Sequence, residues 1–414
     1  MNTEQVTASN APRLAVFHDG NSVSMFQFYE VARDLCRIVW VIGWSPINFP
    51  LKPLSRFGDV VDVSGMNEAQ SVEHLMGNGL DGVIVFSDAP LRLAAAVADR
   101  LNLPFHSPDT ARLLTDKLAQ RDALGIAGLP GPSFAAVQTD DFNVNVPFPA
   151  VLKPRAGAGG RDTFIVKNQS ELSSFLAGCE PTEQFILEEW LPDRTAQTDL
   201  AADVVSVESI ARNGEIEHIM VTGRFPFAPP FRETGSFLPS DLSPTDWNSV
   251  TSLAAAAAKA LRVEHGILHT EIKMTPTGPR IVEINGRLGG QIGQLISRIG
   301  GPSLFTWAIK LALGLEVGPV PELAKSPIAF FRMIVAPQSA TRLEAVEGVK
   351  ELSSLPGVEE ILVGVQPGDT VDFHHSSYRE HALMISGMVE SHAELTHLIH
   401  SEIETTLHLT WSHD

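Results

Sequence analysis

Hydrophobic positions over the first 112 residues switch repeatedly between short apolar runs and a helical period. "RLAVFHD", "RIVWVIGW" and "DGVIVFSDA" are runs of the buried parallel-strand kind, whereas "MFQFYEVARDL" and "PLRLAAAVADRL" repeat their apolar positions three and four apart. This alternation predicts a doubly wound α/β domain over residues 1–112. Such domains take ligands beyond the carboxyl ends of their strands, so "HDGNS" (18–22) is a candidate border of a site, although turn chemistry accounts for it equally well.

The pattern then changes. In "DTARLLTDKLAQRDALGIAGLPGPSF", Asp109 or Thr110 is expected to cap one short helix and Thr115 or Asp116 a second, which stops at the glycines and Pro130. Residues 134–189 alternate strand, Gly-rich loop, strand, helix and strand, enough for a small lid spanning 113–189 with its connecting helices. A strand-rich α+β region follows over 190–313. Residues 314–414, with "IAFFRMIVAP" and "ALMISGMVESHAELTHLIHSEIETTL", predict strands and amphipathic helices of a final subdomain.

Composition narrows the class. The 414 residues are 44% hydrophobic and 19% charged, ordinary for a soluble globular protein of two or three domains. The N-terminus is polar, and the longest apolar run, "SLAAAAAKAL", is too short to span a bilayer and carries Lys259. Cys36 and Cys179 lack metal-ligand spacing and read as free thiols of a reducing cytoplasm. A formal net charge of −19 excludes bulk nucleic-acid binding but leaves room for a small anionic ligand held by a few local cations.

Two stretches carry chemistry. "VLKPRAGAGGRDTF" (151–164) joins a lysine to a glycine cluster flanked by arginines, the composition of an anion-binding loop. Its lysine precedes the glycines, unlike a P-loop, and "FIVKN" continues as a strand, unlike a dinucleotide fold. A flexible flap fits, as does a plain hairpin. In "ILHTEIKMTPTGPRIVEINGRLGG" (267–290), a turn centred on Thr277 sets Glu271 opposite Glu283, with Asn285 and Arg287 on the same face. Ile281 falls on that face too, while Val282 and Ile284 fall in the apolar row with Ile272 and Met274. Facing carboxylates about 4.5–5.5 Å apart at Cβ destabilise a sheet unless a cation intervenes. The hard-oxygen set suits Mg²⁺ or Mn²⁺; a solvated face neutralised by Lys273 and Arg287 is the plainer alternative. His269 reads as a packing or supporting residue.

Together these stretches resemble the ATP-grasp superfamily of carboxylate–amine ligases, from end to end of the chain. The resemblance implies an N-terminal doubly wound α/β domain, a flap-bearing lid, a base with the metal hairpin and a C-terminal α+β subdomain. It makes "TDKLAQRDAL" the helix supplying a first nucleotide lysine, Lys117. It makes Lys153 the second, with the amides of Gly157, Gly159 and Gly160 over the phosphates of ATP. In "ILEEWL" it implies that Glu188 accepts from the adenine amino group and that backbone from Glu189 to Leu191 completes adenine recognition. Glu271, Glu283 and Asn285 match the magnesium ligands, and Arg287 the arginine that holds the acyl phosphate or its carboxylate precursor. The family's ribose glutamate has no counterpart after the hinge, and Asp203 is the candidate in its place. "HTEIKMTPTG", "FRETGSFLPSDLS" and the C-terminal tail look most like the L-amino-acid ligases, which implies an amino-acid pocket lined by Glu233 and Arg332. Gln291, one helical turn beyond Arg287, is expected to border the activated side chain or else only to cap a helix.

The implied activity joins a carboxylate to an amine through an acyl phosphate, releasing ADP and phosphate. The expected partners are small-molecule amino acids or other carboxylates, with neither nucleic acid nor membrane, and a homodimer is compatible. Biotin-carboxylase-like or purine-pathway chemistry is the alternative among enzymes, and a catalytically silent nucleotide-binding regulator the alternative outside them.

Overall fold

Strand β1 (Arg13–Phe17) shows why the first domain is layered. Leu14 and Val16 enter one apolar cluster and Ala15 and Phe17 another, all fully buried, so both faces of its sheet must be covered. The computed structural model describes residues 11–19, 24–44, 54–138, 144–157, 159–160, 162–180, 182–194, 200–371 and 381–413. Around β1 lie β2 (Arg37–Ile42), β3 (Asp59–Asp62) and β4 (Gly82–Val85) in the parallel order β3-β2-β1-β4. Helix α1 (Met25–Ala32) joins β1 to β2, α2 (Glu68–Met76) joins β3 to β4, and α3 (Leu91–Leu101) follows β4. Strand β3 and helix α2 were not singled out by their sequence pattern, because β3 is only four residues long and half exposed. The chain leaves β1 toward β2 and later returns to its other side at β4, which makes the β1/β4 boundary the topological switch point.

Helices α4 (Pro108–Thr115) and α5 (Lys117–Ile126) follow. The first is capped by Ser107, whose hydroxyl accepts from the Thr110 amide, and not by Asp109 or Thr110. Pro108 at the first helical position fixes the start one step earlier. Asp116 caps α5 as expected, accepting from the amides of Leu118 and Ala119. The lid is the antiparallel sheet of β5 (Phe134–Val137), β6 (Ala150–Pro154), β7 (Phe164–Val166) and β8 (Phe185–Glu189), ordered β5-β8-β6-β7, with α6 (Gln169–Leu176) packed on it.

The base is an eight-stranded sheet ordered β13-β12-β9-β10-β11-β14-β17-β16. Its strands are β9 (Val204–Arg212), β10 (Glu215–Arg224), β11 (Gly235–Leu238), β12 (Gly266–Thr275), β13 (Gly278–Asn285), β14 (Ile328–Val335), β16 (Val358–Val363) and β17 (His381–Val389). Strand β15 (Ala340–Glu347) pairs separately with β18 (His408–His413). Helix α7 (Pro244–Ala260) lays Val250, Ala254, Ala257 and Ala258 against Val207, Leu268 and Ile284, a core whose small helical residues let helix and sheet approach closely. Helices α8 (Ile292–Arg298) and α9 (Leu304–Ala312) carry the chain past the N-terminal sheet into the last subdomain. No described helix is long and apolar enough to cross a membrane. Cys36 is a buried thiol, pushed up to about 12 by burial, and Cys179 a half-buried one; both are unpaired.

Candidate active site

The hairpin β12–β13 places Glu271 directly opposite Glu283 by a route other than the turn alone. The loop is the two residues Pro276 and Thr277, since Thr275 pairs with Gly278 and Ile272 with Ile281. A turn that tight would slip the acids out of register by one. A bulge between Glu271 and Ile272, with Val282 as the extra residue opposite, restores it. The faces expected for two residues are thereby corrected: Ile281 is fully buried in the apolar core, and Val282 leaves the core row.

Neither acid faces the other unneutralised. Lys117, the first residue of α5, puts its Nζ 2.9 Å from Glu283 and donates to the flap carbonyl of Gly157 at 2.6 Å. Burial pulls the Lys117 ammonium down, but Glu283, with Asp88 and Glu188 beyond, outweighs it and leaves its pKa raised. Arg224, at the end of β10, lies 2.9 Å from Glu271 and 2.5 Å from Glu233, bridging the expected metal acid and the expected substrate acid. Burial opposes charge on Glu271, yet Arg224 and His269 hold its carboxyl well below the usual range. His269 is buried between Glu208, 3.0 Å from Nδ1, and Arg224, 2.9 Å from Nε2. Burial lowers its pKa, but the Glu208 carboxylate prevails and lifts it to about 9. Ser206 donates to Glu208 at 2.7 Å, so this acid is fixed from the β9 side. Lys273 is turned away to Asp193, and Arg287 pairs with Asp88 while adding a lesser contribution at Glu271, so Lys117 and Arg224 rather than these two cations are the direct partners of the acids.

The flap lysine has a different partner. Lys153 Nζ lies 2.7 Å from one oxygen of Glu188, and Arg121 Nε lies 2.7 Å from the other. Burial would raise Glu188, but the two cations hold it down at about 2. Lys153 is lowered, by burial first and by Arg121, with Glu188 offsetting only part. Glu188, expected to accept from an adenine amino group, thus gives one carboxylate oxygen to each of two cations. Neighbouring Glu189 accepts from the amide and hydroxyl of Ser133, both at 3.0 Å, and Leu191 is half-buried beyond it. Gly157, Gly159 and Gly160 are exposed, the last two with φ near +69 and +68, a region closed to most side chains.

Arg287 lies at the boundary with the first domain. Its Nε and NH2 donate to the two oxygens of Asp88 at 2.9 and 2.7 Å, and its NH2 reaches Asn285 Oδ1 at 3.3 Å. Asp88 sits just past the carboxyl end of β4, at the switch point that the carboxyl end of β1, leading into "HDGNS", also borders. His18 of that stretch is buried against Trp40, and Gly20–Ser22 lie outside the described residues. Arg332 lies on β14, paired across to Gly235 of β11. It stacks 5.3 Å over Phe225, donates to Thr234 carbonyl at 3.3 Å, and lines a cavity of about 290 Å³ with Pro226, Phe227 and Met333. Gln291 occupies the N-cap position of α8 with φ 60, but its side chain makes no cap hydrogen bond. Asp203 is buried, accepting from the Arg194 amide at 2.5 Å.

The donor set can be tested for a divalent cation. Among the described residues no three His, Cys, Asp or Glu side chains form a metal-binding group. Two opposed carboxylates and an amide oxygen still fit Mg²⁺, which commonly takes one or two protein carboxylates and completes its shell with phosphate and water. Lys117 and Arg224 stand as internal counter-ions to these acids. Five residues of the cluster escaped the sequence reading: Asp88, Gln120, Arg121, Glu208 and Arg224. Glu208 alone left a signal, an acid at a buried position of the apolar strand "VVSVES".

Residues 114–291 match the ATP-grasp domain family, and residues 333–391 match the L-amino acid ligase C-terminal domain 2. The chain is 24% identical over 371 residues to the L-arginine-specific L-amino acid ligase of Bacillus subtilis, covering 86% of each. It is 28% identical over 274 residues to carnosine synthase 1 of Gallus gallus, covering 59% of this chain but only 28% of that longer protein. The crystal structure of an L-amino acid ligase from Bacillus licheniformis superposes with a TM-score of 0.77 over 97% of this chain and 99% of that one, at 18% identity. The chain thus carries an ATP-grasp domain over residues 114–291 and the L-amino acid ligase C-terminal domain 2 over residues 333–391, the make-up of an ATP-dependent C–N ligase.

Proposed function

We propose that the protein joins the carboxylate of one amino acid to the amine of a second, through an acyl phosphate, releasing ADP and phosphate. The observation that carries this reading is the convergence of Lys117, Lys153 and Arg287 on one cluster with Glu271, Glu283 and Asn285, each cation already matched to an acid. A carboxylate resists attack by an amine until one oxygen becomes a leaving group. The carboxylate oxygen attacks the γ-phosphorus of ATP, the β–γ bond breaks and ADP departs. The free amine then attacks the acyl carbon, the C–O bond to phosphate breaks, and the amine proton is lost. Mg²⁺ bound by Glu271, Glu283 and Asn285 supplies charge neutralisation for the phosphates. Lys117 and Lys153 exchange their internal acids for phosphate oxygens, which positions the nucleotide without leaving either cation unpaired. Arg287 holds the carboxylate to be activated, and the flap amides of Gly157, Gly159 and Gly160 close over the phosphates and exclude water.

The amino-acid preference of the Bacillus subtilis relative and the matching C-terminal domain support an amino-acid pocket at Glu233 and Arg332. The adenine edge falls to backbone at Glu189 to Leu191, and Asp203 stays the candidate for ribose. Phosphate release from ATP over a panel of amino-acid pairs tests the reading. ADP and phosphate in step with a dipeptide are expected; AMP and pyrophosphate, or a requirement for bicarbonate, would sink it.

A further inference from the structure

Strand β13 is an edge of the eight-stranded sheet, so its outer backbone groups have no neighbouring strand. Edge strands with a bulge hold their register weakly, and here the register decides whether Glu283 faces Glu271. Helix α5 closes the gap with side chains. Gln120 Oε1 accepts from the Ile284 amide at 2.9 Å, and its Nε2 donates to the Ile284 carbonyl at 3.0 Å, as a paired strand would. Arg121 donates through NH2 to the carbonyl of Val282, the extra residue of the bulge. Lys117, Gln120 and Arg121 stand at i, i+3 and i+4, so one face of one helix grips three consecutive residues of β13.

Arg121 does a second thing. Only 3% exposed, it shares Glu188 with Lys153: two cations on one carboxylate. Burying a guanidinium costs several kcal/mol unless it is matched, so this placement is not a packing convenience. In a one-to-one pair Glu188 would hold Lys153 firmly; divided between two cations, it holds each less.

We propose that Arg121, backed by Gln120, is a positioning residue of the phosphoryl-transfer centre. It pins the Val282 bulge that keeps Glu283 opposite Glu271, and it divides Glu188 so that Lys153 can turn its charge to a phosphate. The inference rests on the nucleotide reading above and deepens it.

Calorimetric titration of the full chain with a non-hydrolysable ATP analogue and Mg²⁺ separates the two. Wild type should bind. Arg121→Met should weaken binding by about tenfold or more, as loss of a supporting partner does at metal sites. Adding Glu188→Gln to Arg121→Met should restore the part of that affinity lost through Lys153, which is then released, and leave the part lost through the Val282 bulge. A purely structural Arg121 predicts the reverse, since the second change strips another buried pair. No binding by wild type overturns the nucleotide reading itself. Binding by wild type with Arg121→Met unchanged overturns the role given to Arg121, and no recovery in the double variant overturns its division of Glu188. Should Arg121→Met fail to fold, Arg121→Lys with and without Glu188→Gln answers the same question, because a lysine there keeps the charge but can reach only one of the two partners.

Discussion

The flap and the paired-acid hairpin both carry charge toward the proposed phosphate position, yet they are built oppositely. Around the hairpin every charged group has a partner within about 3 Å, and even the edge backbone is satisfied by Gln120 and Arg121. The flap exposes Gly157, Gly159 and Gly160, and its described ties lie at its base: Lys153 to Glu188, Arg155 to Asp116 and to the Lys117 amide, and Lys117 Nζ to the Gly157 carbonyl. One region is preorganised by its own counter-ions; the other keeps its ordering cost for the moment of binding. Such a division suits a reaction whose intermediate must meet fixed charges and then be shut away from water.

The sharpest way to break this comparison is to disable the fixed half. Glu283→Gln should lower turnover by more than the roughly 10–100-fold that supporting residues of a metal site cost. Its effect on the unliganded fold should be small, because Lys117 keeps the Gly157 carbonyl and Glu271 keeps Arg224; about 1 kcal/mol is expected for a part-buried pair. Steady-state kinetics and thermal melts measure both. Turnover near wild type would show that the hairpin acids are structural counter-ions and nothing more.

Acid titration probes the same region through Glu188. Its folded pKa of about 2 lies below the ordinary 4.5, so the unfolded chain takes up the proton first. The stability it contributes is therefore complete above about pH 4.5 and drains away as pH falls toward 2. Unfolding free energies should slope downward over that window in wild type and more shallowly in Glu188→Gln. Equal slopes would mean that the Arg121–Glu188–Lys153 cluster contributes little to folding.

How much of this was legible beforehand follows from what each feature depends on. The hairpin acids announced themselves because strand alternation is local, and the tight turn and compensating bulge cancelled in the register. Lys153 and the glycines were legible as composition. Glu188 was legible as a position but its cation partners were not, because one comes from a helix 67 residues away and the other from β6 beside it. Gln120 and Arg121 looked like the ordinary polar face of a short helix; their role appears only once β13 is known to be a sheet edge. Asp88 is similar. Nothing in "SDAP" marks it until the order β3-β2-β1-β4 brings the end of β4 to Arg287.

The flap can be tested by hydrogen exchange. Amides of Gly157, Gly159 and Gly160 should exchange fast alone and slow on addition of Mg²⁺ with a non-hydrolysable ATP analogue, since glycines with so few contacts retain most of their backbone freedom. The Ile284 amide, bonded to Gln120, should be slow in both states. If both regions were equally protected throughout, the contrast between them would be lost.

The finest test concerns specificity at Gln291, where the fixed framework ends. The residue stands at the start of α8, four positions beyond Arg287, in a left-handed conformation with φ 60. That conformation is uncommon outside glycine and asparagine, and a side chain that only capped the helix would accept from a first-turn amide; Gln291 does not. Its half-buried side chain is therefore placed for something other than the helix. If Arg287 holds the carboxylate being activated, the side chain of that amino acid lies beside Gln291, whose medium size and amide leave more room than an aromatic ring. Gln291→Trp should then narrow the carboxyl-activated substrate toward Gly and Ala, and Gln291→Ala should broaden it toward larger residues. One methylene in such a pocket is worth about 1–3 kcal/mol, so shifts of roughly tenfold in relative kcat/KM between small and large amino acids are expected. Both variants keeping the wild-type size profile would remove Gln291 from the pocket wall and leave its backbone strain without a function.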